Sequence, residues 1–130
     1  PESRKTASSM LRDLRGRRHE VFTTVSLTYA PFRQQRKVFS HTVASEVFMR
    51  RYGDKEIDDY VATGIPYDRA GAYGVQDGEF DPAKSVIGCY LNVIGLPLCA
   101  VRAMLPSDAC GFVHAHIYAT CAAHEERGAA

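Results

Sequence analysis

Two stretches of this 130-residue chain decide its fold: GIPYDRAGAYGVQ at residues 64–76 and GCYLNVIGLPL at residues 88–98. In the first, small residues let the backbone approach a ligand closely, because Gly71 has no side chain and Gly74 is free to adopt a positive φ. A carboxylate, a guanidinium, a phenol and a primary amide surround them, contributed by Asp68, Arg69, Tyr73 and Gln76. The stretch therefore has the composition of a loop that could contact a ligand.

Each of these polar groups suggests a role. An amide both donates and accepts hydrogen bonds, so Gln76 could recognise the edge of a nucleobase. Asp68 could bind Mg²⁺ or orient Arg69, and Arg69 could bind a phosphate. The alternative is a surface turn in which Asp68 and Arg69 pair with each other. Because loops of small residues are common, composition alone favours that alternative.

Hydrophobic periodicity predicts the elements around these stretches. It predicts helices at residues 3–14, 54–63 and 97–105, and strands at residues 19–29 and 37–49, with a shorter strand near 85–87. The expected buried helix positions are Ile57, Tyr60, Val61, Leu98, Val101 and Leu105. The two longer strands are expected to be antiparallel neighbours joined through residues 31–35. The pattern predicts an α/β fold, with a mixed β-sheet flanked by helices.

The two opening stretches resemble the paired motifs of the Maf family of nucleoside triphosphate pyrophosphatases. Residues 68–76 follow the family's Asp-Lys/Arg-Ala-Gly-Ala-Tyr-Gly-Ile/Val-Gln string, and Asn-Val-Ile-Gly-Leu-Pro-Leu recurs at the expected distance. Residues 16–23 and 54–61 resemble two weaker family patterns, Gly-Arg-x-His-x-Val-Tyr-Thr and Asp-Glu-Glu-Ile-x-x-Tyr-Val. The resemblance implies a Maf/ITPase-like domain at residues 1–106, followed by a partly disordered C-terminal extension at residues 107–130.

The resemblance also implies a reaction. Residues 72–76 are similar to the branch that acts on dTTP and UTP, and differ from the Phe-Lys-x-Glu type of the 7-methyl-GTP branch. Gln76 would help to select the base, and Asp68, Arg69 and Tyr73 would also bind the nucleoside triphosphate. A carboxylate base would activate water, and Mg²⁺ or Mn²⁺ would offset the phosphate charge, giving the monophosphate and pyrophosphate. Family members form dimers, so a homodimer is implied as well.

This sequence departs from the family pattern in ways that bear on activity. Nothing in it matches the Ser-x-x-Arg-Arg phosphate loop or the Asp-Thr-Val-Val strand that supplies the catalytic base. Pro1 could end the Gly-Lys-Pro turn that follows that strand, so we expect an N-terminally truncated domain with no catalytic residue in this chain, inactive by itself. Thr24 replaces a usual Gly, and Cys89 a frequent Asp. The alternative is a non-catalytic nucleotide- or protein-binding remnant, which the coding sequence upstream of Pro1 would distinguish.

Composition bears on partners and location. The net charge is only +1, so no nucleic acid partner is expected, although Arg12, Arg15, Arg17 and Arg18 form a basic cluster. We interpret that cluster as a solvated helix end, with a phosphate-facing arginine as the alternative. No apolar run approaches the ~20 residues that span a membrane. Because no secretory signal is visible, we expect four reduced cysteines and a cytoplasmic location.

Cysteines and histidines also cluster in the tail, at Cys110, His114, His116, Cys121 and His124. Such residues can bind zinc, but their spacing matches no common zinc finger, so ordinary side chains are the favoured interpretation. His19 and His41 lie in predicted strands and are expected to be core or rim residues. No Ser-containing nucleophile elbow, P-loop or dinucleotide motif occurs in the sequence.

Overall fold

The computed structural model describes residues 1–29 and 35–105, which form two compact units. The first unit comprises residues 1–19 and 46–86, and the second comprises residues 20–45 and the described residues from 87 onward. The predicted connection at residues 31–35 lies outside the described residues except for Gln35. The tail cluster of cysteines and histidines lies outside them entirely.

Helix α1, Arg4–Leu14, begins where the sequence predicts it. Ser3 caps the helix, because its Oγ accepts a hydrogen bond from the Thr6 backbone N–H at 3.2 Å. Ala7 and Leu11, four residues apart and therefore on one face of the helix, are fully buried. Gly16, just past the helix, has a φ of +67°, a conformation that favours glycine and suits the end of a helix.

Three of the four arginines in the basic cluster at the end of α1 pair with acids. Arg12 Nε and Arg15 Nη1 both donate to Asp54 Oδ1, at 3.3 and 2.9 Å, and Arg18 donates to Glu46. The hydrogen bonds from Arg15 and Arg12 lower the pKa of Asp54 below its ordinary value. The three side chains are 34–52% exposed, which agrees with the interpretation of a solvated helix end.

Helix α2, Asp54–Ala62, packs against α1 and confirms its predicted burial pattern. Ile57, Tyr60 and Val61 are buried, as the 3.6-residue periodicity indicates. The Gly53 backbone N–H at the start of the helix donates to Glu56 Oε2 at 2.6 Å. This contact satisfies one of the N–H groups that lack a partner within the helix.

The sheet contains the strands β1, Arg18–Tyr29, β2, Lys37–Met49, and β3, Ala83–Gly88, in the order β1-β2-β3. All three strands were predicted within a few residues, and neighbouring strands are antiparallel. Hydroxyl pairs lie opposite each other on β1 and β2, Thr24 with Thr42 and Ser26 with Ser40, each at 2.8 Å between oxygens. The α/β fold with a sheet flanked by helices is confirmed.

The last described elements lie in the second unit. Helix α4, Leu98–Met104, agrees with the predicted helix, but α3, Tyr90–Val93, was not predicted. The burial expected for α4 is only partly correct. Leu98, Val101 and Leu105 are half-buried, and Ala100 is the buried residue instead. A seven-residue helix spans only two turns, so the period of 3.6 fixes its buried face poorly.

Candidate functional site

The loop of the first sequence stretch folds as two short 3₁₀ turns, Ile65–Asp68 and Ala70–Ala72, followed by a β-turn. Gly71 and Ala72 both adopt left-handed backbone conformations, with φ of +68° and +64°. Asp68, Arg69 and Gln76 are exposed, whereas Tyr73 is buried. The structure thus separates the predicted site residues into three that face solvent and one that packs inside the first unit.

Arg69 does not form the pair with Asp68 that sequence proximity suggested. Its Nη2 donates to Asp77 Oδ1 at 3.1 Å, across eight residues. Tyr60, on α2, donates its hydroxyl to the other carboxylate oxygen of Asp77. Burial, and then the contact with Asp77, raise the pKa of Tyr60 above its ordinary value, so the phenol remains a donor at neutral pH. We call Tyr60, Arg69 and Asp77 the Asp77 cluster.

Tyr73 is held by a histidine from β1. The Tyr73 hydroxyl lies 2.7 Å from His19 Nε2, and the two rings meet edge to face at 89°. Burial raises the pKa of Tyr73 to about 12 and lowers the pKa of His19 below 6.5. His19 is therefore partly buried, which agrees with the rim position, one of the two alternatives that the sequence leaves open. Its Nδ1 is buried and has no hydrogen-bond partner among the described residues.

A cavity of about 230 Å³ opens beside α2 in the first unit. The residues that line it are Glu56, Asp59, Tyr60, Thr63, Glu79 and Phe80. Tyr60 and Phe80 stack in its wall, with ring centroids 4.2 Å apart. None of the four predicted substrate-binding residues lines this cavity, although Tyr60 links it to the Asp77 cluster.

In the second unit, Asn92 of the second sequence stretch is fully buried. Its Nδ2 donates to the Val21 backbone oxygen and to Ser45 Oγ, each at 2.9 Å. Ser45 in turn donates to the Cys89 backbone oxygen at 3.0 Å. Asn92 therefore ties α3 to β1 and β2, which gives this motif residue a structural role.

Metal-binding residues do not gather within the parts of the chain that the structure describes. No group of three His, Cys, Asp or Glu side chains there could hold an ion. Of the two described cysteines, Cys89 is free and Cys99 is disulfide-bonded, so the expectation of reduced cysteines is wrong for Cys99. The zinc hypothesis for the tail concerns residues outside the described ranges.

Sequence analysis missed Asp77 altogether. The residue follows Gln76 directly, but no periodicity or motif indicates that a half-buried acid in a turn accepts hydrogen bonds from two distant side chains. Hydrophobic periodicity indicates only that Tyr60 is a buried helix residue, because the pattern cannot show where its hydroxyl points. The one available signal was the glycine at position 74, three residues before Asp77.

Comparison with known proteins identifies the family of this chain. Residues 1–107 match the family model described as Maf-like protein. The chain belongs to the Maf-like family. The two motifs that form the 3₁₀ turns and α3 are therefore Maf-like motifs, as their resemblance implied.

Several curated relatives of this Maf-like chain are described as dTTP/UTP pyrophosphatase. The one from Dehalococcoides mccartyi (strain CBDB1) is 46% identical over 101 residues, which is 78% of this chain and 44% of that protein. The one from Thermomicrobium roseum is 45% identical over 98 residues, covering 75% and 43%. The one from Dictyoglomus thermophilum is 42% identical over 105 residues, covering 81% and 53%. The Maf-like chain thus spans about half the length of these relatives.

No helix in the described ranges of this Maf-like chain combines the length and the apolar character that crossing a membrane requires.

Proposed function

We propose that this Maf-like domain is part of a nucleoside triphosphate pyrophosphatase that hydrolyses dTTP and UTP to the monophosphate and pyrophosphate. The observation that carries the proposal is the Ala-Gly-Ala-Tyr-Gly-Val-Gln sequence that ends at Gln76, within a chain 42–46% identical to relatives described as dTTP/UTP pyrophosphatases. Gln76 is exposed, and its amide has no side-chain hydrogen bond among the described residues. It is therefore free to bond a base.

The polar residues before Gln76 would serve the phosphate end of the substrate. The Asp68 carboxylate is exposed and is the predicted metal or orienting group. Arg69 is 44% exposed, so its guanidinium could contact a phosphate while it keeps Asp77 as a neighbour. The Tyr73 hydroxyl is hydrogen-bonded to His19, so Tyr73 would support the loop by packing beneath it.

A divalent cation, Mg²⁺ or Mn²⁺, is part of this proposal, but the described residues do not form a cage for it. Mg²⁺ commonly takes one or two carboxylates together with substrate phosphates. Asp68 is the exposed carboxylate in the predicted loop and would supply one such ligand.

We further propose that this chain by itself has little or no hydrolytic activity. None of its 130 residues matches the Asp-Thr-Val-Val strand or the Ser-x-x-Arg-Arg loop. Catalytic groups that act as a unit lose most of their effect when one is absent. Pyrophosphate release from dTTP and UTP with Mg²⁺ or Mn²⁺ tests this point, and robust turnover by the chain would contradict it.

Base recognition is tested separately by binding. Titration of the purified chain with UMP should give saturable binding, which Gln76→Ala should weaken by up to about tenfold, the effect of losing one hydrogen bond of net value about 0.5–1.5 kcal/mol. Gln35→Ala, at another exposed glutamine, is the matched control and should bind UMP normally. Equal binding by both variants would refute the role of Gln76. The coding sequence upstream of Pro1 would distinguish the enzyme from the nucleotide-binding alternative, since an in-frame Asp-Thr-Val-Val segment there would favour the enzyme.

A further inference from the structure

A backbone hydrogen bond between its first and last residues closes the turn that carries Gln76. The Asp77 N–H donates to the Gly74 carbonyl oxygen at 3.1 Å, which makes Val75 and Gln76 the two central residues of the turn. Because the Gln76 side chain has no hydrogen bond in the described ranges, contacts of its neighbours must fix the position of its amide. The next residue, Asp77, makes such contacts.

Every polar group of Asp77 is engaged. Its carbonyl oxygen accepts hydrogen bonds from the backbone N–H groups of Phe80 and Asp81, at 3.1 and 2.8 Å. Its carboxylate accepts from Tyr60 and from Arg69. The Asp77 side chain is only 11% exposed, so water screens the Arg69 pair less than it screens a surface ion pair.

The Asp77 carboxylate also lies directly against the first residue of the turn. A Cβ atom placed on Gly74 would be 2.6 Å from Asp77 Oδ2 and 2.9 Å from Asp77 Cγ, distances at which atoms overlap. Glycine is therefore required at position 74 if the carboxylate is to stay where it is. The side chain at the end of the turn thus contacts the residue at its start.

The cluster connects this turn to a rigid element. Tyr60 belongs to α2, is 5% exposed, and stacks on Phe80 with an angle of 11° between the rings. Because α2 and the stacked Phe80 ring fix the Tyr60 hydroxyl, its hydrogen bond holds the Asp77 carboxylate in one position. Arg69 reaches the same carboxylate from the residue that separates the two 3₁₀ turns. Both α2 and the residue between the two 3₁₀ turns therefore contact one half-buried acid.

We propose that Asp77 is a positioning residue that sets the specificity of base recognition, by fastening the turn of Gln76 to Tyr60 and Arg69. The proposal rests on the proposed function, since Gln76 is the base-contacting residue there. A fastened turn presents the amide at one distance from a pyrimidine ring, whereas a loose turn can move back and admit a larger purine. Loss of the carboxylate should therefore reduce the preference for UMP over AMP.

Three variants of the chain test this proposal. Asp77→Asn keeps the shape but removes the charge, which weakens the bonds to Arg69 and Tyr60. Tyr60→Phe removes only the hydroxyl and keeps the ring stacked on Phe80. Asp81→Asn is the matched control, because Asp81 is an exposed acid of the same loop whose side chain has no hydrogen bond within the described residues. Its φ of +41° also suits asparagine.

Binding of UMP and AMP to each variant gives the first measurement. Asp77→Asn and Tyr60→Phe should each lower the UMP-to-AMP preference by about tenfold, mostly through weaker UMP binding, as expected when a contact is displaced. The double variant should lose little more than either single one, because both changes break the same contact. An unchanged preference in Asp77→Asn, or an equal loss in Asp81→Asn, would overturn the proposal.

Amide hydrogen exchange gives a second measurement that needs no nucleotide. The N–H groups of Asp77, Phe80 and Asp81 should exchange at least about tenfold faster in Asp77→Asn and in Tyr60→Phe, whereas N–H groups in α1 should not change. Unchanged exchange would overturn the proposal even if UMP binding fell. Failure of the unaltered chain to bind UMP would overturn the proposed function, and the exchange rates would still decide whether Asp77 fastens the turn.

Discussion

The hydroxyl of Tyr52 shows how a single buried polar atom connects distant parts of the chain. The residue is 2% exposed, and its hydroxyl donates to the Leu11 carbonyl oxygen of α1 at 2.8 Å. Burial raises the pKa of this hydroxyl to about 12, against the opposing effect of Arg15 and Arg50. It therefore stays protonated, and the hydrogen bond persists throughout the neutral pH range.

Replacement of Tyr52 by Phe should destabilise the protein by about 0.5–1.5 kcal/mol, the usual net value of one hydrogen bond. The Leu11 carbonyl oxygen would keep its bond from the Arg15 N–H, so the loss should not exceed that range. Urea unfolding should show a lower midpoint with an unchanged m-value. Tyr67→Phe, at a 41% exposed tyrosine, is the control and should be neutral. If Tyr52→Phe changed the urea midpoint no more than Tyr67→Phe does, the hydrogen bond to Leu11 would contribute nothing to stability.

His19 should make stability depend on pH near neutrality. Because burial lowers its pKa in the folded state below 6.5, the unfolded state binds the proton at higher pH than the folded state does. Its contribution is present above pH 6.5 and is lost as the pH falls through the lower folded value. Urea unfolding between about pH 5 and about pH 8 should show this slope, and His19→Gln should reduce it. His41→Gln, at an exposed strand position, should leave it intact.

Residue types in the site could be predicted from sequence, but their partners could not. The motif identifies Arg69 as a charged loop residue, yet its partner is Asp77 rather than the adjacent Asp68. Which acid an arginine reaches depends on the path of the backbone, here two 3₁₀ turns containing the left-handed residue Ala72. No local sequence rule expects that conformation of an alanine, since it costs about 1–2 kcal/mol.

At the scale of elements, the predicted helices and strands agree best with the structure where the hydrophobic pattern is long. Helices α1 and α2 and strands β1 and β2 each contain 9 to 13 residues, and their ends agree with prediction within about two residues, the usual uncertainty at element ends. Helix α3 has only four residues, too few to show a period, and it was missed. It is stabilised instead by Asn92, through side-chain contacts with β1 and β2.

The start of α2 should make the protein sensitive to acid. The Gly53 N–H and then Arg50 lower the pKa of Glu56 below 4.5, and Arg15 and Arg12 lower the pKa of Asp54 below 3.8. Depressed carboxylate pKa values stabilise the fold above those ordinary values, and the contribution is lost as the pH falls through the lower folded values.

The double variant Asp54→Asn/Glu56→Gln should therefore lose less stability than the unaltered chain between about pH 5 and about pH 2.5. Urea midpoints across this range provide the measurement. The control variant, Asp13→Asn/Glu20→Gln, neutralises two exposed carboxylates whose side chains have no hydrogen bond in the described ranges. Its urea midpoint should depend on pH in the same way as that of the unaltered chain. Parallel curves for both double variants would show that the start of α2 is not the acid-sensitive element.

At the scale of the whole molecule, the sheet offers surfaces that the described residues leave uncovered. In the order β1-β2-β3, the 12-residue strand β1 is an edge, and edge strands can pair with another chain. Phe22 of β1 and Val38 of β2 are each 62% exposed. Exposed apolar side chains beside a free edge are typical of association surfaces.

We therefore expect the chain to form a homodimer through the surface that carries Phe22 and Val38. Light scattering during gel filtration should give twice the chain mass of 14.4 kDa, falling toward the monomer on dilution. Phe22→Ser/Val38→Ser should shift the equilibrium to the monomer by at least about tenfold, because burying a large apolar side chain contributes about 1.5–3 kcal/mol. Ile65→Ser, at a 45% exposed position in the first unit, should still dimerise. A mass of 14.4 kDa at every concentration would refute this expectation, because the exposed residues would then lie on the surface of a monomer.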